Sequence, residues 1–324
     1  MTRKLFLLAA LMAGLAAAPA SVLAAQTVPA ATSAAAPAET RLPHISIQST
    51  GQGAPVVLIP GLASPRAVWD GIAPELARGH RVLLVQVNGF GGDDPGANVR
   101  DGQRDALLAG IVDDLSTYLR AHRIERPAVI GHSMGGLIGM LLVKGHPDQV
   151  GRLMVVDALP FFGVLMGPNA TLETVRPIAA QLRTALQAQS GPQPVPASMT
   201  LTEAGRARVG GWMNAANHQV TGQAIYEDAT SDLRGDVPAI GQVPTTVLYA
   251  VSDPARADMF RSIFAGAYAA APSIQVIPVE NSAHFIMLDQ PARFAGLVAA
   301  FLSDHQNCGQ TRLDGHGNVE PRPC

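Results

Sequence analysis

Ser133 stands between two glycines in Gly131-His132-Ser133-Met134-Gly135, directly behind the apolar run Pro127–Ile130. A serine hydroxyl is a weak nucleophile in water and becomes a strong one only when geometry and a base are arranged around it. A G-x-S-x-G segment between a buried strand and a helix supplies that geometry, because small flanking residues permit a tight, strained turn that lifts the side chain to the top of a sheet. The context fits. Ala128-Val129-Ile130 reads as a central parallel strand. The stretch from Met134 to Val143 is apolar almost all round, as a helix buried on that sheet must be.

Such a nucleophile needs a base, an acid to orient the base, and donors for the developing oxyanion. Of the nine histidines, His284 is the expected base. It follows the strand-like run Ile274–Ile277 and the loop Pro278–Ala283, which brings it to the carboxyl edge of the sheet. Asp253 is the expected acid, since it directly follows the strand Thr246–Val251 and lies after a long insertion and before the histidine. Asp157 offers the same position after Leu153–Val156 and is the alternative; Asp258 lies inside the following helix. The oxyanion donors are expected to be the backbone N–H groups of Met134 and of Leu62, in the loop Pro60-Gly61-Leu62-Ala63-Ser64, with Ser64 better suited to cap a helix.

The elements that must position these residues alternate. Strand candidates are His44–Gln48 (an edge strand), Val56–Ile59, Val82–Val85, Ala128–Ile130, Leu153–Val156, Thr246–Ala250 and Ile274–Ile277. Helical spacing covers Ala67–Arg78, Gln103–Arg120, Leu137–Lys144, Ala257–Ala269 and Pro291–Leu302. The pattern predicts an α/β fold: a mostly parallel sheet with helices on both faces. Residues 159–243 break the rhythm, with helical stretches at Thr174–Gln189 and Thr202–Asn217 and a proline-rich Ser190–Ala197. They are expected to form a helical lid over the edge where open α/β sheets bind ligands. Phe161, Phe162, Met166 and Trp212 are its candidate pocket residues, alongside Val164, Leu165, Met199 and Met213, although such side chains also serve simply to pack lid on core.

With nucleophile, acid and histidine in the order Ser133, Asp253, His284, and with Val57–Leu62, Trp69 and Ser282-Ala283-His284-Phe285 beside the elbow, the chain resembles the α/β-hydrolase superfamily over about residues 42–303. The resemblance implies an eight-stranded-type, mostly parallel sheet. It also implies an esterase, lactonase, lipase or carbon–carbon bond hydrolase without metal or organic cofactor. A serine at position 133 sets the chain apart from the family's epoxide hydrolases and haloalkane dehalogenases, which use aspartate there. Two departures bear on the pocket mouth: Pro60-Gly61 replaces the family's His-Gly, and Asn88-Gly89-Phe90-Gly91-Gly92 replaces an acidic, arginine-containing motif.

The rest of the chain bounds the setting. Arg3-Lys4, the apolar Leu5–Ala18 and the small residues up to Ala24 read as a secretory signal peptide of residues 1–24, too short to span a bilayer. Residues 25–41 read as an Ala/Pro-rich linker, 42–303 as the catalytic domain and 304–324 as a polar tail. The expected location is therefore periplasmic or secreted. A formal net charge of −2 without a basic block argues against nucleic-acid partners, and nothing points to stable membrane insertion. The only cysteines, Cys308 and Cys324, suit a disulfide in an oxidising compartment, worth ~3 kcal/mol by chain entropy. His305, Cys308, His316 and Cys324 match no compact zinc spacing, so no metal is expected. The function expected is hydrolysis of a small-molecule carboxylic ester or lactone through an acyl-enzyme. The alternatives are carbon–carbon hydrolysis or perhydrolysis by the same triad, or a small-molecule-binding protein that retains the fold.

Overall fold

The computed structural model describes residues 39–99, 106–167, 169–191 and 194–303, with the backbone of 312–313 and 319–320. The signal-peptide and most of the linker reading, and Cys308, Cys324, His305 and His316, lie outside the described residues. The linker reading ended three residues too late, because Glu39–Arg41 is already a strand, β1. It pairs antiparallel with β2 (Ile45–Thr50), so β1 and not the 44–48 segment forms the edge.

Strands β3 (Ala54–Ile59), β4 (His80–Val87), β5 (Ala128–His132), β6 (Arg152–Val156), β7 (Thr245–Val251) and β8 (Gln275–Glu280) complete an eight-stranded sheet of order β1-β2-β4-β3-β5-β6-β7-β8. β1 and β2 are antiparallel to their neighbours, and every pairing from β4 to β8 is parallel. The apolar runs feed two cores by alternation, since successive strand residues face opposite sides. Val57, Val129 and Val155 join Leu83, Ile111, Leu115, Ile138 and Tyr268 on one face. Val56, Leu58, Ile130 and Met154 join Trp69, Ile277, Phe294 and Val298 on the other.

The helices are α1 (Ala73–Leu76), α2 (Leu107–Ala121), α3 (Met134–Gly145), α4 (Leu172–Gln187), α5 (Glu203–Ala215), α6 (His218–Thr230), α7 (Val237–Ile240), α8 (Ala257–Tyr268), α9 (Ile286–Asp289) and α10 (Pro291–Ser303). The single helix expected over 67–78 is instead a 3-10 turn at Arg66–Trp69 followed by α1, whose second residue is Pro74. The tail, read as polar and bearing the two cysteines, contains a two-stranded pairing of β9 (Arg312–Leu313) with β10 (Val319–Glu320).

Between β6 and β7 the chain inserts α4, α5 and α6, which the strand-free interval anticipated, except that α6 was not read as a separate helix. The insertion has its own small core of Phe161, Val175, Ala179, Tyr226 and Ala229. α4 and α6 meet at Gly222, where a Cβ would lie 2.5 Å from Gln187 Cγ. Asn217 accepts from the Gln219 and Val220 N–H groups and starts α6. Its own N–H donates to the Gly89 carbonyl at 2.7 Å, tying the insertion to the loop after β4.

Candidate active site

The elbow forms as its residue types require. Ser133 joins β5 to α3 at φ 53° and ψ −123°, a conformation costing ~1–3 kcal/mol that persists only where the surroundings over-determine it. Those surroundings are tight: a Cβ at Gly131 would lie 2.1 Å from the Gly135 carbonyl oxygen, and one at Gly135 would lie 2.3 Å from that of Ile59. Any side chain at either position would force strand and helix apart. The Ser133 N–H donates to the Val156 carbonyl at 2.8 Å and anchors the turn on β6.

The loop after β3 comes against the elbow. A Cβ at Gly61 would stand 3.1 Å from Ser133 Cβ, so only glycine lets this backbone approach so closely. Among the described residues no hydrogen bond engages the Leu62 or Met134 N–H, the two donors expected to face an oxyanion. Ser64 Oγ instead donates to the Leu62 carbonyl at 3.3 Å.

His284 meets Asp157 and not Asp253. Its Nδ1–H donates to Asp157 Oδ2 at 2.6 Å. Asp157 sits at φ 54° with its N–H on the Leu248 carbonyl at 2.7 Å, and its Oδ1 accepts from the Ala250 N–H at 2.9 Å. Both carboxylate oxygens are thereby directed. Asp253 is exposed, caps the turn before α8 by accepting from the Ala255 N–H at 2.9 Å, and faces Arg256. Asp258 pairs with Arg261 on the surface. The strand order explains the correction: β6 lies beside β5, whereas β7 is one strand further out, about 4.8 Å more distant from the elbow.

The backbone of His284 is held as firmly as its ring. Its N–H donates to the Ser198 carbonyl at 3.1 Å, and the Phe285 N–H donates to that of Met199 at 2.8 Å. Asp289 completes this seam, accepting from Thr200 Oγ1 at 2.5 Å, from the Leu201 N–H and from the Ala283 N–H. The His284 carbonyl accepts from His132 Nε2 at 3.0 Å. Burial, and next the charge of His284, hold the His132 ring well below the ordinary imidazole value, so it stays neutral.

The pocket candidates divide. Trp212 is brought to the site's border, its ring 6.1 Å from that of Phe285 and covered on one side by Arg208. Phe161 is fully buried in the insertion's own core under the Arg234 guanidinium, and Phe162 packs against that core. Met166 is 40% exposed. These three serve the insertion and its surface, the packing role that apolar lid residues commonly take.

One titratable group escaped the sequence reading. Asp228, on α6, is only partly accessible to solvent. Burial pushes its pKa up to about 7, opposed by the positive charge of His284. Its local pattern gave no signal, since it stands beside Glu227 and just before Thr230, Ser231 and Asp232. Tyr268, under the sheet, donates to the Ala158 carbonyl at 2.8 Å, and burial and the Asp157 charge raise its phenol. Among the described residues no group of three or more His, Cys, Asp or Glu side chains is placed to hold a metal, and no helix is long and apolar enough to cross a membrane.

Comparison with known proteins agrees with this architecture. Residues 56–297 match the model of the alpha/beta hydrolase family. Pimeloyl-[acyl-carrier protein] methyl ester esterase of Aeromonas hydrophila is 34% identical over 118 residues, 36% of this chain and 43% of that protein. The match thus spans less than half the length of that relative. Other relatives include a putative carbamate hydrolase of Yersinia enterocolitica (32% over 116 residues, 34% of this chain and 40% of that one). Among solved structures, an esterase from Thermogutta terrifontis superposes with a TM-score of 0.65 at 18% identity, covering 82% of this chain and 98% of that one. The enol-lactonase of Burkholderia xenovorans gives 0.59 at 17%, covering 80% and 96%. At such identity the structures speak for the fold alone, and the family match supplies the kinship. The chain belongs to the alpha/beta hydrolase family.

Proposed function

We propose that the protein is an exported serine hydrolase that cleaves a carboxylic ester or lactone of a small molecule, with Ser133 as nucleophile, His284 as base and Asp157 as orienting acid. The observation that carries this reading is the 2.6 Å contact of His284 Nδ1 with Asp157, which leaves Nε2 as the ring nitrogen available to a hydroxyl. In the reaction His284 Nε2 takes the Ser133 proton while Oγ attacks the carbonyl carbon. The Leu62 and Met134 N–H groups receive the oxyanion, and Asp157 stabilises the imidazolium. Collapse of the intermediate expels the alcohol, which takes its proton from His284. Water, deprotonated by the same ring, then releases the acid and restores Ser133. The methyl ester esterase among the sequence relatives supports this class of bond. The insertion, hydrogen-bonded to the His284 loop, acts as the lid that shapes the acyl or ring pocket, with Trp212 at its border. Export to the periplasm or beyond rests on the charged, then apolar, then small-residue order of the first 24 residues.

Ser133→Ala is expected to abolish turnover of p-nitrophenyl acyl esters and labelling by a fluorophosphonate probe while leaving Tm within a few degrees of the wild type. Retained turnover in that variant overturns the mechanism.

A further inference from the structure

His132 occupies the variable position of the elbow, and nothing in the chemistry above uses it. It is fully buried, and its environment is unusually specific. The ring centroid lies 4.6 Å from that of His284 and 4.7 Å from that of Phe285. Nε2 faces the His284 carbonyl at 3.0 Å, so that nitrogen carries the proton and donates. Nδ1 is then a bare acceptor. It is buried, has no hydrogen-bond partner among the described residues, and points toward the Gly61 backbone, where a Cβ would lie 2.9 Å away. An unmet buried acceptor costs about 1–3 kcal/mol, which a phenylalanine of similar shape would avoid. Here the fold carries that cost one residue before the nucleophile.

Resting on the proposed triad, we propose that His132 is a positioning residue for His284. By donating to the carbonyl of the base, it couples the elbow directly to the base's own loop, so that Nε2 of His284 is presented to Ser133 Oγ and then to the leaving oxygen. The base is otherwise held by Asp157 at its ring and by Ser198 at its N–H. Asp157 stands on β6 and Ser198 on the insertion. Among the described residues, the His132 bond alone refers the base directly to the peptide that also carries the nucleophile.

A misplaced base costs most where it must act twice. An alkyl leaving group needs proton removal from Ser133 and proton delivery to the alkoxide, whereas p-nitrophenolate departs without a proton. The experiment compares ethyl and p-nitrophenyl esters of one acid on wild type, His132→Phe and His132→Gln of the full mature chain. Phe keeps the ring contacts and removes the donor; Gln restores an N–H at similar reach. The expected result for His132→Phe is a roughly 10–100-fold lower kcat on the ethyl ester with KM within about twofold, and a loss on the p-nitrophenyl ester several-fold smaller. His132→Gln is expected to recover most of the ethyl ester rate. Wild-type rates in His132→Phe overturn the proposal, as do equal losses on both esters or the absence of any recovery in His132→Gln. Where the Phe variant does not fold, His132→Asn replaces it: its amide is too short for the carbonyl, and ethyl ester rates equal to those of the Gln variant overturn the proposal. Ser133→Ala run alongside keeps the two readings apart. Full activity there removes the triad itself, while an inactive Ser133→Ala beside a normal His132→Phe removes only the role of His132.

Discussion

Asp157 and Asp253 are the same residue type after adjacent parallel strands, and they differ in what their carboxylates already hold. Asp157 engages one backbone N–H and the imidazole, while Asp253 caps a turn in water. Asp157→Asn is expected to lower kcat by roughly 10²–10⁴-fold, because the amide presents an N–H where the Nδ1 proton must go. Asp253→Asn is expected to stay within about twofold of wild type in the same ester assay. The sequence reading favoured Asp253, and its miss has a physical reason: both carboxylates reach the carboxyl edge, and only the strand order places β6 between β5 and β7. Ser133, His284 and the Gly61-Leu62 loop were legible because local patterns carry them, a glycine-flanked serine after a β-branched run and a histidine after the last strand. Phe161 was not, since apolar character alone does not say which of two cores a side chain joins.

At the scale of elements, α6 links the insertion to α2 through one carboxylate. Glu227, 7% exposed, accepts from the Leu107 N–H at 2.9 Å and the Leu108 N–H at 2.7 Å, the open first turn of α2. Negative charge at a helix N-terminus is favourable, and the two N–H groups have no water to turn to. Glu227→Ala is expected to lower stability by about 2–3 kcal/mol, read as an earlier midpoint in urea with an unchanged slope. Glu227→Gln is expected to cost less. This helix was hard to see in advance: Thr221, Gly222, Gln223 and Asp228 interrupt any apolar stripe, so its helicity depends on packing against α4 and α2. The core strands and α3, α8 and α10 were legible because each presents an uninterrupted apolar run or stripe. The segment after Trp69 was misread because Gly71 and Pro74 divide a helical spacing that the other residues maintain.

Asp228 makes the whole molecule's stability depend on pH. Its folded value of about 7 lies above the ordinary 3.8, so between those limits the folded state binds the proton more tightly than the unfolded chain does. Its contribution therefore falls as pH rises through that window and stays low above it. Asp228→Asn removes the dependence and is expected to gain on the order of 1–3 kcal/mol relative to wild type at pH 8 over the difference seen at pH 4. Denaturant midpoints of the two proteins at both pH values check it, and an unchanged difference refutes it. The seam between Ser198–Leu201 and the 283–289 loop has another consequence at this scale. Ser198–Leu201 of the insertion and the loop of His284, the proposed base, share backbone bonds closed by Asp289. The insertion is consequently not an interchangeable module. A chimera that takes its insertion from a relative must carry the relative's 283–289 loop with it, or it inherits a new specificity together with a displaced base.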